Sequence, residues 1–194
     1  HFFNPPRYLR LLEIIPTPDT SPEVVDFLMD YGDRYLGKQT VLCKDTPAFI
    51  ANRIGVFGMM SLMHAMDDLQ LSIDEVDALT GPVIGRPKSA TFRTADVVGI
   101  DTLVKVAKGV FDNCPNDEAR NRFQIPVWLQ KMVDQNWLGD KTGQGFFKKQ
   151  KGSDGSKEIL TLNLKTIEYG ARQKAKFATL ETAKPIEDLA KRLK

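Results

Sequence analysis

The chain has 194 residues, with 27 Lys and Arg against 25 Asp and Glu, a formal net charge of +2, and 42% hydrophobic residues. This composition excludes a disordered or fibrous chain and suits a globular one with a single substantial core or two small ones. Near-balanced charge, with Lys and Arg scattered among acids, gives no basic block for a nucleic-acid partner, so none is expected.

In chain order, Asn4-Pro5-Pro6-Arg7 forbids helix and favours a reversal. The apolar run from Leu9 to Ile15, ended by Pro16, predicts a strand. Strand alternation places Leu9, Leu11, Glu13 and Ile15 on one face, so a carboxylate sits among aliphatic neighbours and needs a partner. Thr20-Ser21-Pro22-Glu23 offers an N-cap, a first-turn proline and an acid at the capping-box position. Val24, Val25, Leu28, Tyr31 and Tyr35 follow at helical spacing, and Gly37 closes the helix. Residues 39–44 read as extended, and Asp45-Thr46-Pro47 opens the longest helix, expected over 48–71.

Inside that helix Gly55, Gly58, Ser61 and Ala65 form a small-residue ridge beside Phe57, Met59, Met60, Leu62 and Met63. It is apolar almost all round and reads as the central core helix. The stretch from Ile54 to Met66 carries no charged residue over 13 positions, short of the roughly 20 needed to cross a bilayer, so a buried helix rather than a membrane span is expected. Ser72-Ile73-Asp74-Glu75 repeats the capping-box pattern and opens a short helix to Thr80, ended by Gly81-Pro82. Further helices are expected near 101–113 and 125–137. Gly143-Gln144-Gly145-Phe146-Phe147 reads as a strand leading to the Gly-rich turn Lys151-Gly152-Ser153-Asp154-Gly155, with a return strand over 158–162. Residues 163–194 read as a polar extension or linker, helical only after Pro185.

Few residues can carry chemistry. Cys43 and Cys114 are too few for a disulfide scaffold and have no metal-ligand spacing, so no metal is expected and a reducing cytoplasm is the simplest compartment. No GxGxxG, Walker loop, HExxH or nucleophile elbow occurs. Attention falls on the two histidines. His64, inside the apolar helix, reads as a packing residue. The reversal at residues 4–7 can bring the strand that carries Glu13 back beside His1, where a carboxylate among aliphatic side chains would orient an imidazole. The alternative is a salt bridge from Glu13 to Arg7 or Arg10. Asn52, about one turn after Pro47, adds a third polar group, or else makes an interhelical hydrogen bond.

His1-Phe2-Phe3-Asn4-Pro5-Pro6 with Glu13 twelve positions on resembles the catalytic segment of the L-3-hydroxyacyl-CoA dehydrogenases, which oxidise 3-hydroxyacyl-CoA with NAD in fatty-acid β-oxidation. Residues 44–53 (Lys44-Asp45-Thr46-Pro47-Ala48-Phe49-Ile50-Ala51-Asn52-Arg53) resemble the family's helix-opening motif. Gly81-Pro82 through Gly85-Arg86-Pro87, Asp96-Val97-Val98-Gly99-Ile100-Asp101 and Gly143-Gln144-Gly145-Phe146-Phe147 resemble its later motifs, in the same order. The resemblance implies that His1 is the general base, that Glu13 orients and electrostatically supports it, and that Asn52 hydrogen-bonds the substrate oxygen.

For the fold, the resemblance implies a mainly α, six-phosphogluconate-dehydrogenase-like helical domain over 19–148, the domain that forms the dimer interface in the family. A short β segment over 1–18, left from the Rossmann domain, precedes it, and a hairpin and polar extension over 149–194 lead toward a following domain. Because the family's dinucleotide-binding domain lies N-terminal to the histidine, and the chain opens on His1 rather than Met, that domain is expected to be missing. The chain then holds no cofactor-binding residues, NAD belongs to the parent enzyme, and the isolated chain is inactive. The long basic stretch from Arg86 to Asp96, with the extension after 148, is similar to the large bacterial and archaeal fused proteins that carry a crotonase-like region. The expected partners are a 3-hydroxyacyl-CoA substrate, the N-terminal Rossmann domain and a second copy of the chain. Two rival readings are a dimerisation or scaffold domain with a vestigial site, and a dehydrogenase of a different hydroxy acid.

Overall fold

A computed structural model describes residues 1–152 and 155–194. The chain opens with β1 (Leu11–Ile14), α1 (Pro22–Arg34) and β2 (Gln39–Leu42). The two strands pair in parallel, Leu11 opposite Gln39 and Glu13 opposite Val41. Parallel neighbours need a crossover between them, and α1 supplies it. The helix lies close on the strands at Gly32, where a Cβ would stand 2.5 Å from Thr40 Cγ2 and 3.2 Å from Leu12 Cδ2. Lys38 donates to the Pro6 and Leu9 carbonyls, tying the proline reversal to this unit. The expected one-sided alternation does not hold. Leu12 and Glu13 are consecutive and both buried, because β1 is covered on both faces, while Leu9 is exposed. The unit also runs through the boundary expected at residue 18, since β2 completes the pair that β1 begins.

The long helix α2 (Ala51–Leu69) starts later than the expected residue 48, because Ala48 and Phe49 take left-handed φ values of 62° and 50°. Its buried residues are Val56, Met60, Met63 and Met66, one stripe at helical spacing. The helix is therefore not buried all round. Ile54 and Leu69 are each 67% exposed, and Gly55 and Gly58 face open space.

Next comes α3 (Ile73–Leu79), opened by the expected capping box: Glu75 N–H donates to Ser72 Oγ, and Ser72 N–H donates to Glu75 Oε2. An unexpected helix, α4 (Phe92–Val98), precedes α5 (Ile100–Asn113) and α6 (Val127–Asp134). The α2 stripe packs with Phe92, Ile100, Leu103, Phe123, Leu129, Met132 and Phe146 into one core.

Strands β3 (Phe147–Lys151), β4 (Lys157–Asn163) and β5 (Glu168–Ala171) form an antiparallel meander in sequence order. Of the expected Gly-rich turn, Ser153 and Asp154 lie outside the described residues. Leu162 of β4 belongs to the core. Residues after 163 are packed rather than free: β5 pairs with β4, and buried Asp74 accepts from Arg172 Nε at 2.9 Å and Gln173 N at 2.8 Å. The chain ends in α7 (Ala178–Ala183) and α8 (Leu189–Arg192). Among the described residues the fold is mainly α with two small sheets. Among the described residues no helix is long and apolar enough to cross a membrane.

Candidate active site

Glu13 is fully buried, and both of its oxygens are engaged. Oε2 stands 2.7 Å from His1 Nδ1. Oε1 accepts from the backbone N–H groups of Ile50 at 3.1 Å and Ala51 at 2.8 Å, where the chain enters α2. A carboxylate buried beside aliphatic side chains requires such donors, and the unpaired amides at the start of a helix provide them. The backbones reinforce the pairing: His1 N donates to the Glu13 carbonyl at 2.7 Å, and Glu13 N–H donates to the His1 carbonyl at 3.2 Å. The proline reversal thus brings His1 beside Glu13 as expected, and neither Arg7 nor Arg10 pairs with it among the described residues.

The imidazole packs against the ring of Phe3, with centroids 4.6 Å apart, and that of Phe49 at 5.5 Å. Its side chain remains 30% exposed. A carboxylate can only accept, so in the neutral ring the contact with Glu13 places the proton on Nδ1 and leaves Nε2 its lone pair. A buried acid and a partly exposed imidazole held by its Nδ1 form an arrangement able to take a proton from a bound hydroxyl. Burial first, and then the charge of Glu13, pushes the thiol of the buried Cys43 above its ordinary value, which disfavours its thiolate.

Asn52 is half-buried in the first turn of α2, directly after Ala51, but its amide bonds neither His1 nor Glu13 among the described residues. His64 lies apart from the pair, its Nε2 3.2 Å from the Gln124 carbonyl, where it holds the chain between α5 and α6. The Ile50 and Ala51 amides and the Phe49 ring were not anticipated from the sequence. The available signal was the buried Glu13, which demanded more donors than one imidazole could supply.

A second buried acid explains two of the sequence motifs without chemistry. Asp96 in α4 accepts from Phe146 N at 2.8 Å and Phe147 N at 2.9 Å. A Cβ on Gly145 would fall inside contact distance of Asp96 Oδ1, and one on Gly139 would meet the Asp96 carbonyl. The Asp96 segment and the Gly143–Phe147 segment are two halves of one lock that fixes β3 to α4. Burial pushes the Asp96 carboxyl up to about 6, although the two N–H bonds pull it down. Asp77 plays a similar part at the start of α4, accepting from Thr91 N at 3.0 Å and Phe92 N at 2.7 Å.

No group of three or more His, Cys, Asp or Glu among the described residues could hold a metal ion. The β1–α1 connection, where a parallel βαβ unit presents a helix N-terminus to phosphate, reads Ile15-Pro16-Thr17-Pro18-Asp19-Thr20-Ser21. It has no glycine for close backbone approach and carries an acid, so this turn does not fit a dinucleotide pyrophosphate.

Residues 49–149 match the family model described as 3-hydroxyacyl-CoA dehydrogenase, C-terminal domain, and residues 1–46 match that of 3-hydroxyacyl-CoA dehydrogenase, NAD binding domain. The second match overturns the expectation that the cofactor domain is missing from the chain, and with it the reason for expecting inactivity. A probable 3-hydroxyacyl-CoA dehydrogenase of Bacillus subtilis is 47% identical over the whole chain, which spans 24% of that protein. A putative fatty acid oxidation complex trifunctional enzyme of Rickettsia prowazekii is 30% identical over 90% of the chain and again 24% of the relative. The chain thus spans about a quarter of the length of these curated relatives. Among solved structures, M. tuberculosis FadB2 superposes with a TM-score of 0.69 at 29% identity, over 76% of this chain and 50% of that one.

Proposed function

The chain belongs to the 3-hydroxyacyl-CoA dehydrogenase family, and on that premise we propose that His1 and Glu13 are the proton-handling pair of a 3-hydroxyacyl-CoA oxidation. The observation that supports this most is the buried Glu13 carboxylate, anchored by the Ile50 and Ala51 amides on one oxygen and turned to His1 Nδ1 by the other.

The reaction removes a hydride and a proton from one secondary alcohol. NAD, when bound, supplies the hydride acceptor. His1 Nε2 takes the hydroxyl proton as the C3 hydride leaves, and the freed electron pair closes the carbonyl, giving the 3-keto product. Glu13 holds the ring by Nδ1 and stabilises the imidazolium that forms. Asn52, on the first turn of α2, hydrogen-bonds the substrate oxygen. In the reverse direction the same imidazolium returns the proton.

The finer reading places this activity in fatty-acid β-oxidation in the cytoplasm, within a multifunctional protein, which the trifunctional relative supports. Residues of the helical unit take the six-phosphogluconate-dehydrogenase-like arrangement, and the exposed face of α2 pairs with a second copy. The test is NADH-dependent reduction of acetoacetyl-CoA by the wild-type protein and by His1→Gln. Loss of turnover by about two orders of magnitude with KM little changed is the expected result. Equal turnover in both proteins would remove His1 from the chemistry.

A further inference from the structure

We infer that Phe49 is a positioning residue for His1, a role that rests on the proton-transfer reading above. The backbone around it is unusual. Ala48 and Phe49 are consecutive non-glycine residues in the left-handed region, with φ of 62° and 50°, a conformation that crowds Cβ against the following carbonyl. A helix running on from Pro47 would have avoided both. Residues held this way persist where the surroundings over-determine them, and they concentrate at functional sites.

The excursion aims two things at one place. Phe49 N–H bonds the Thr46 carbonyl at 3.0 Å, closing a tight turn. The next two amides, Ile50 and Ala51, then point at Glu13 Oε1. The Phe49 ring itself lands 5.5 Å from the imidazole, at 56° to it, as a second aromatic wall beside Phe3. One residue therefore acts on both members of the pair. Its backbone turns out the amides that fix the carboxylate, and its side chain restricts rotation of the ring that the carboxylate orients. Phe49 itself handles no proton and acts only through His1 and Glu13.

The test compares Phe49→Leu, which keeps apolar bulk and loses the ring, with Phe49→Tyr, which keeps the ring. Turnover of acetoacetyl-CoA and the imidazole ¹⁵N spectrum of His1 at about pH 8, where tautomers are resolved, are read on each. The expected result for Phe49→Leu is a kcat roughly tenfold lower with KM within about twofold, and a mixture of tautomers where the wild type holds Nδ1–H alone. Phe49→Tyr restores both. Should the leucine variant lose its fold, Phe49→Gly keeps the left-handed turn without strain, removes the ring and gives the same reading. Wild-type kcat and a single Nδ1–H tautomer in the ring-less variants would overturn the inference, as would a KM rise with no change of tautomer. A wild-type protein without turnover would defeat the functional reading, while the tautomer spectrum would still decide the role of Phe49.

Discussion

Glu13 answers to two sets of donors, and its substitutions should separate them. Glu13→Ala leaves the Ile50 and Ala51 amides without their acceptor, a loss of about 1–3 kcal/mol. Glu13→Gln keeps the volume but must turn its NH₂ either toward His1 or toward the two amides. Turnover should fall at least about tenfold in both, and the melting temperature should fall further in the alanine variant. Enzyme kinetics and a thermal melt check the pair of outcomes. Asp96 carries the pH dependence. With its carboxyl at about 6 in the folded protein and near the ordinary 3.8 when unfolded, it takes up a proton on folding between those values. Its contribution to stability is fully present below about 3.8 and is lost as the pH rises through about 6. Urea unfolding at about pH 4.5 and about pH 7 should therefore show the wild type gaining on acidification relative to Asp96→Asn. An identical gap at both values would contradict this.

Glycines at the scale of elements make opposite forecasts. Gly145→Ala drives a methyl into Asp96 and within 2.6 Å of Gly139 Cα, at the junction of β3 and α4, and should destabilise by about 3 kcal/mol or more. Gly109→Ala, inside α5 with open space around it, should stabilise by about 0.5–1 kcal/mol. Denaturant midpoints decide both. The same distinction between local and distant causes governs what could be read in advance. The capping box of α3 was legible because Ser72 and Glu75 carry it within three residues. The α4 helix was not, because the acid that caps it, Asp77, lies fourteen residues before Thr91. β5 has little strand signal of its own and exists through its pairing with β4. For the site, the proline reversal and an acid in an apolar run pointed to His1 and Glu13. The amides that hold Glu13 could not be read, since backbone donors leave no mark in side-chain chemistry, and a left-handed turn at Ala48 and Phe49 contradicts the residues' own preferences.

For the molecule as a whole, two surfaces are informative. Ile54 and Leu69 stand exposed on the outer face of α2 while its methionine stripe fills the core. If that face joins two copies, sedimentation at micromolar concentration should give a dimer, and Ile54→Glu a folded monomer. A wild-type monomer would refute the pairing. At the other end, Asp74 holds the chain at Arg172 and Gln173 against α3. Asp74→Ala should open residues 172–194 to limited proteolysis at protease levels the wild type resists. Finally, Glu13 lies in β1, whereas the amides that anchor it lie 37 and 38 residues away, where α2 begins. The His1–Glu13 pair is complete only while the opening βαβ unit and the helical core are docked. Hydrogen exchange at Ile50 and Ala51 consequently measures that docking directly, and under the proposed function turnover should vanish in mild denaturant before the circular dichroism of the helices changes, making the protein its own gauge of partial unfolding.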